Sequence, residues 1–157
     1  MRSLLLIADD PATVRTMRVA LRNAATFKVV ATVDGRQSIR RRVRNLAPSV
    51  VLVDEMCQRT NAWARLREVR EETPDATLVL LSDGLGTAAV DDALQAGADA
   101  VISANLPPAQ LATLLRAVVE GNVVHMPRRR ATARLRSAPS ADPAPRLRAV
   151  ADQRTSA

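Results

Sequence analysis

The stretch Ser49-Val50-Val51-Leu52-Val53-Asp54 decides the fold. Four consecutive apolar residues, three of them β-branched, end abruptly on a carboxylate. A short apolar run without polar alternation is typical of a strand that is buried on both faces of a parallel sheet. Leu4 to Ala8 form a similar run, which Asp9 and Asp10 follow. Because functional groups of such sheets lie beyond the carboxyl ends of the strands, neighbouring strands would bring these three aspartates together.

Strand-like and helix-like segments alternate along the first 121 residues. Strands are predicted at 4–8, 27–33, 49–54, 76–82 and 100–103, and a segment with apolar residues at helical spacing follows each one. The charged segment from Trp63 to Glu72 is predicted as the third helix. Five strands that alternate with five helices predict an α/β fold with a doubly wound parallel sheet. The arginines at 40–42 and 44 are interpreted as a solvated helix face rather than a nucleic-acid surface.

The composition is that of one domain with an aliphatic core. Hydrophobic residues make up 47% of the 157 residues, whereas aromatic residues make up only 1%. The single cysteine, Cys57, excludes an internal disulfide bond. No apolar run approaches the roughly 20 residues of a membrane span, and the first one is too short for a signal peptide. We therefore expect a soluble cytoplasmic protein without membrane contact.

The positive charge is concentrated at the end of the chain. The net charge is +7, and the segment from Pro127 to Ala157 contributes +6 through eight arginines and two aspartates. This segment is rich in proline, alanine and arginine and has little to bury, which predicts disorder. We therefore predict a folded domain at 1–124 and a basic tail at 125–157. Release of counterions would let such a tail bind polyanions weakly.

The aspartates that follow the strands predict a cation site. Two like charges about 4 Å apart repel by roughly 4 kcal/mol at an effective dielectric of 20. Mg²⁺ prefers oxygen ligands, which Asp9, Asp10 and Asp54 would supply. Ser82 adds a hydroxyl after the fourth strand, and a carboxylate beside Mg²⁺ can itself accept a phosphoryl group. The alternative is that these aspartates only cap helices.

An acidic pair after the first strand, an Asp after the third and a Ser after the fourth resemble the receiver domain of bacterial response regulators. The resemblance covers roughly residues 1–124, and the sequences at 6–11 and 97–100 are especially similar to receivers with a helix-turn-helix output. It implies a flavodoxin-like strand order of 2-1-3-4-5 and Mg²⁺ bound by Asp9, Asp10 and Asp54. It also implies that a histidine kinase or phosphotransfer protein phosphorylates Asp54 and that Ser82 is the switch hydroxyl. Some members pair through the fourth helix, fifth strand and fifth helix, so a homodimer is a further expectation.

Several positions depart from this family pattern. Ala104 stands where the family has a lysine, and Val101 stands where an aromatic residue precedes it. Cys57-Gln58 replaces a Met-Pro pair, and we expect no helix-turn-helix output after the receiver-like segment. The only lysine, Lys28, is expected at the opposite end of the sheet. Asp83 is interpreted as a helix cap in preference to a further acidic group in the site.

Three classes of function remain. The retained acids favour an atypical single-domain response regulator of a phosphorelay, not an enzyme, with Asp54 as phosphoacceptor and impaired switching. The alternative is a phosphorylation-independent interaction module, with a polyanion-binding tail. An enzyme of the same architecture is least favoured. In a flavodoxin, Asp9 and Asp10 would repel the flavin phosphate, and Asp54-Glu55-Met56 lacks the Asp-x-Asp of an aspartate phosphatase.

Overall fold

Five parallel strands form one sheet in the order β2-β1-β3-β4-β5 in the computed structural model, which describes residues 1–22, 25–84 and 86–121. The doubly wound α/β fold and the strand order predicted from the sequence are confirmed. The predicted disordered tail at 125–157 lies outside the described residues. The strands are β1 (Arg2–Ala8), β2 (Phe27–Asp34), β3 (Val50–Asp54), β4 (Thr77–Ser82) and β5 (Ala100–Ser103), and the helices are α1 (Pro11–Arg22), α2 (Arg40–Leu46), α3 (Arg59–Glu72), α4 (Thr87–Gln95) and α5 (Pro108–Glu120).

The centre of the sheet is formed by β1 and β3, which pair with each other. Leu6 lies opposite Leu52, and Asp54 lies opposite Leu81 of β4. The apolar residues of both central strands are fully buried, which explains why these strands carry unbroken apolar runs. Since all the strands are parallel, their carboxyl ends meet at one edge of the sheet.

Helices cover both faces of the sheet and create two apolar layers. Alternate side chains of each strand point to opposite faces. One layer packs against α1 and α5, and the other packs against α2, α3 and α4. The buried strand residues of the first layer are Leu4, Leu6, Phe27, Val50, Leu52, Val79, Leu81 and Ile102. Those of the second layer are Leu5, Ile7, Val51, Val53, Leu78 and Leu80.

The third helix begins earlier than the sequence predicts. It starts at Arg59 instead of Trp63. Its first three residues are polar and therefore show no apolar spacing. The arginine-rich segment is α2, where Arg40 and Arg44 are exposed and pair with Glu72 of α3. This agrees with its interpretation as a solvated face.

A buried ion pair ties α3 to the loop before α2. Arg65 and Glu68 are each 8% exposed and lie 3.0 Å apart. The second oxygen of Glu68 accepts a hydrogen bond from the Ile39 backbone N–H at 2.9 Å. Arg65 also donates to the backbone carbonyl of Gln37. The pair therefore fixes one of the loops at the carboxyl edge of the sheet. Within the described ranges, no helix is long and apolar enough to cross a membrane.

Glu68→Ala is expected to destabilise the domain by about 3–5 kcal/mol, because it leaves the Arg65 charge buried without its partner. The exposed Glu71, which pairs with Arg40, provides a matched control on the same helix. Glu71→Ala should change stability by less than about 1 kcal/mol. Urea unfolding followed by circular dichroism measures both values, and equal effects would show that the buried pair is not special.

Candidate functional site

Acidic side chains gather at the carboxyl edge of the sheet, as the sequence predicts. Asp54 ends β3, and Asp9 and Asp10 follow the neighbouring β1. Together with Glu55 and Asp83 they line a cleft of about 600 Å³. Apolar side chains of α1 and α5 close its other wall, among them Met17, Ala20 and Leu111.

Asp54 is the most strongly perturbed acid of this cleft. It is half-buried, and desolvation, followed by the negative charges of Asp9 and Asp83, raises its pKa to about 6. The backbone N–H groups of Met56 and Glu55 donate to the Asp54 carboxylate and only partly offset this effect. A carboxylate that is both desolvated and surrounded by like charges favours binding of a proton or a cation.

The two acids that follow β1 have different local roles. Asp9 accepts a hydrogen bond from the Cys57 backbone N–H at 3.0 Å, which joins the β1 and β3 loops. Asp10 accepts from the backbone N–H groups of Ala12 at 3.1 Å and Thr13 at 2.9 Å, and from the Thr13 hydroxyl at 2.8 Å. These bonds, led by that of the Thr13 N–H, lower the pKa of Asp10. Asp10 therefore caps the start of α1, which is the role that the alternative interpretation gave to these aspartates.

The predicted magnesium site stays a prediction. Among the residues that the structure describes, no three His, Cys, Asp or Glu side chains are arranged so that they could hold a metal ion. The Asp10 carboxylate is engaged by the first turn of α1, whereas Asp9 and Asp54 line the cleft on the neighbouring strands β1 and β3. This set still suits Mg²⁺, since that ion is commonly held by one or two carboxylates and keeps several waters.

A left-handed residue shapes the loop between Asp54 and α3. Met56 has a φ of 62°, which is unusual for a residue other than glycine. Its side chain is buried against Gly35, where an added Cβ would lie 2.2 Å from the Met56 Sδ. The turn directs the Cys57 N–H toward Asp9, and the Cys57 side chain itself is exposed. Gly35 is needed here because of this close approach.

The hydroxyl at the end of β4 has an acidic partner that the sequence analysis did not identify. Ser82 is only 2% exposed, and its hydroxyl donates to Glu55 Oε2 at 2.5 Å. The Asp83 N–H donates to the same oxygen at 3.1 Å. Arg59 donates through Nε to Glu55 Oε1 at 2.5 Å. No sequence pattern signalled the contact, because Glu55 and Ser82 belong to the ends of two different strands and meet only through the loop backbone.

The interpretation of Asp83 as a helix cap is wrong. The residue at the N-cap of α4 is Gly86, and no side chain caps this helix. Asp83 is exposed at the cleft, where its charge helps to raise the pKa of Asp54. Asp83 is instead a further acidic group of the cleft, which was the alternative interpretation of this residue.

Positive charge is scarce around this cleft. Ala104 lines it where the family pattern has a lysine, and no Lys or Arg occurs among the described residues of its wall. Arg36 and Arg59 lie at this edge of the sheet and pair with Asp34 and Glu55. Lys28, as expected, lies near the start of β2, at the opposite edge of the sheet.

A model of the response regulator receiver domain matches residues 4–116, so the chain belongs to this family. Receiver domains are signalling modules of two-component systems and interact with histidine kinases or phosphotransfer proteins. The family assignment made from the strand-end residues is thereby confirmed. No curated protein matches the sequence significantly.

Solved structures with the same fold include several response regulators. A two-component response regulator of the LuxR family from Aurantimonas sp. is 22% identical, with a TM-score of 0.68, over 77% of this chain and 86% of that one. A response regulator from Thermotoga maritima is 17% identical, with a TM-score of 0.64, over 76% of this chain and 98% of that one. The isolated receiver domain of RcsB from Salmonella enterica, in the presence of phosphomimetic BeF₃⁻, is 15% identical, with a TM-score of 0.65, over 76% and 89% of the two chains.

Asp54→Asn is expected to stabilise the metal-free protein in a pH-dependent manner. The folded-state pKa of Asp54 is about 6, above the ordinary value of 3.8, so the folded state keeps a proton that the unfolded state releases. Stability therefore falls as the pH rises from about 4 to about 6, and the loss is complete above that range. Asparagine carries no charge and avoids this loss.

Differential scanning calorimetry in EDTA at pH 4 and pH 7 measures this effect. Since Asp54 is partly exposed, we expect a gain of only about 1 kcal/mol at pH 7, or roughly 4 °C in Tm, and almost none at pH 4. Asp75→Asn, in an exposed turn, is the control and should show no such pH dependence. An equal gain of Asp54→Asn at both pH values would contradict the assignment.

Proposed function

We propose that this receiver domain accepts a phosphoryl group on Asp54. The observation that carries the proposal is the position of Asp54 at the carboxyl end of the central strand β3, inside an acidic cleft with Asp9 beside it. Asp54 is half-buried and lines the open cleft, as an acceptor of an incoming group must.

The proposed reaction is a simple displacement at phosphorus. One oxygen of the ionised Asp54 carboxylate attacks the phosphorus atom of a phosphohistidine, and an aspartyl phosphate forms. The P–N bond of the donor breaks, and the imidazole takes up a proton from the solvent and leaves as the neutral ring. The raised pKa of Asp54 leaves it mainly ionised at pH 7, and therefore able to attack.

We propose that Asp9 and Asp54 hold Mg²⁺ at this cleft and that Asp10 supports the ion from the start of α1. The ion, when bound, neutralises charge on the transferring phosphoryl oxygens. The residues of this chain orient the acceptor: the Cys57 N–H fixes Asp9, and the N–H groups of Glu55 and Met56 fix Asp54. The turn at Met56 holds these donors in place.

We further propose that phosphorylation shifts the conformation of this receiver only weakly. A phosphoryl group adds about −1.5 to −2 charges and acts through groups that can meet it. Ala104 offers no cation, and Asp83 adds negative charge at the cleft. The two conformations then differ little in energy, so little population can shift.

The direct test of phosphoryl transfer is the intact mass of the protein after incubation with Mg²⁺ and acetyl phosphate or phosphoramidate. Wild type is expected to gain the mass of one phosphoryl group, about 80 Da. Asp54→Asn is expected to gain none because it lacks the attacking carboxylate. Asp75→Asn, at an exposed acid outside the cleft, should behave like wild type. Equal labelling of Asp54→Asn and wild type would refute Asp54 as the acceptor.

The test of weak switching compares self-association before and after phosphorylation. The surface proposed for a homodimer is formed by α4, β5 and α5. Analytical ultracentrifugation should give dissociation constants for the two forms that differ less than tenfold, equivalent to about 1.4 kcal/mol. Restoring the cation with Ala104→Lys should enlarge the difference. A change of more than tenfold in wild type would show that switching does not need this lysine.

The lack of a lysine at Ala104 also favours one alternative function. In this alternative, the chain is an interaction module that recognises its partner without phosphorylation, and its Arg-rich segment at 127–157 contacts polyanions. Absence of labelling in wild type, with partner binding retained, would favour this alternative over phosphoryl transfer.

A further inference from the structure

The hydroxyl of Ser82 is already committed in the structure. Its oxygen lies 2.5 Å from Glu55 Oε2, to which it donates its only hydrogen, and it accepts a bond from the Gly84 N–H at 3.2 Å. Ser82 is 2% exposed, so water does not replace these partners freely. A serine hydroxyl has one hydrogen and cannot donate to two separate acceptors at once.

Glu55 is itself held firmly in this position. Arg59 donates to Oε1 at 2.5 Å, and the Asp83 N–H donates to Oε2 at 3.1 Å. The Glu55 side chain is only 16% exposed. Glu55 therefore connects the loop after β3, the first turn of α3 and the loop after β4.

We propose that Glu55 is a positioning residue that holds the Ser82 hydroxyl and opposes its movement toward a phosphoryl group on Asp54. This inference rests on the proposed function of Asp54. Before Ser82 can donate to a phosphoryl oxygen, its hydrogen bond to Glu55 must break. That bond is charge-assisted and hence stronger than one between neutral groups.

Glu55 acts on a phosphoryl group at Asp54 in two ways. It competes for the Ser82 hydrogen. Because Glu55 directly follows Asp54 in the chain, its negative charge also repels the phosphoryl oxygens. Competition requires Ser82, whereas repulsion does not. Comparing substitutions of Glu55 with and without the Ser82 hydroxyl therefore separates the two effects.

The experiment is a double-mutant cycle on the full chain, read out as the affinity for BeF₃⁻ in the presence of Mg²⁺. Fluorescence of Trp63, the only tryptophan, reports binding. Glu55→Ala is expected to bind about tenfold more tightly than wild type. In a Ser82→Ala background, the same substitution should change affinity by less than threefold, because the competition is already gone and only the repulsion is relieved. Glu71→Ala, on the exposed face of α3, is the control and should have no effect in either background.

A second variant guards against a folding defect. Glu55→Gln keeps an oxygen acceptor for the Ser82 hydroxyl and removes the charge, so it should lie between wild type and Glu55→Ala. If Glu55→Ala has the same effect with and without Ser82, or has none, the proposal is overturned.

Failure of the proposed function gives a different pattern. If wild type binds no BeF₃⁻ and gains no phosphoryl mass, phosphoryl transfer by wild type is wrong. The role of Glu55 is then decided by Glu55→Ala. Binding acquired by this variant, and abolished by adding Ser82→Ala, supports the competition, whereas continued absence of binding overturns it.

Discussion

The desolvated negative charge of Asp54 is the constraint on which the acidic end of this molecule depends. The centre of the sheet is built from fully buried apolar strands, and Asp54, the last residue of β3, is therefore half-buried. Asp9 and Asp83 add charges of the same sign, and the pKa of Asp54 rises to about 6. The fold thereby creates a site that gains stability when a proton or cation is bound.

The hydrogen bonds around this charge are shared among three loops. The Cys57 N–H holds Asp9, and Glu55 holds Ser82 together with the Asp83 N–H. The arginines at this edge, Arg36 and Arg59, already pair with acids. A new negative group on Asp54 would therefore meet backbone donors and any bound cation before it met a positive side chain. This arrangement supports the proposal that Asp54 accepts a phosphoryl group with only a weak conformational response.

The sequence was sufficient to predict the fold because the burial of a strand determines which residue types it contains. The unbroken apolar runs of β1 and β3 are typical of a covered parallel sheet, and an acid ends β3 and directly follows β1. Strand position alone therefore located Asp9, Asp54 and Ser82. Side-chain direction could not be predicted in the same way. It depends on the loop backbone, including the left-handed Met56. For this reason the sequence did not decide that Asp10 caps α1, that Asp83 does not cap α4, or that Glu55 bonds to Ser82.

Binding of Mg²⁺ to the wild-type protein and to Asp54→Asn, measured by isothermal titration calorimetry at pH 7, tests the central claim most directly. If a desolvated Asp54 charge governs the site, wild type binds the ion and Asp54→Asn loses at least tenfold in affinity, or about 1.4 kcal/mol. Asp9→Asn should weaken binding as well, whereas Asp75→Asn should not. Equal Mg²⁺ affinities for wild type and Asp54→Asn, or no binding by wild type up to millimolar Mg²⁺, would contradict the account.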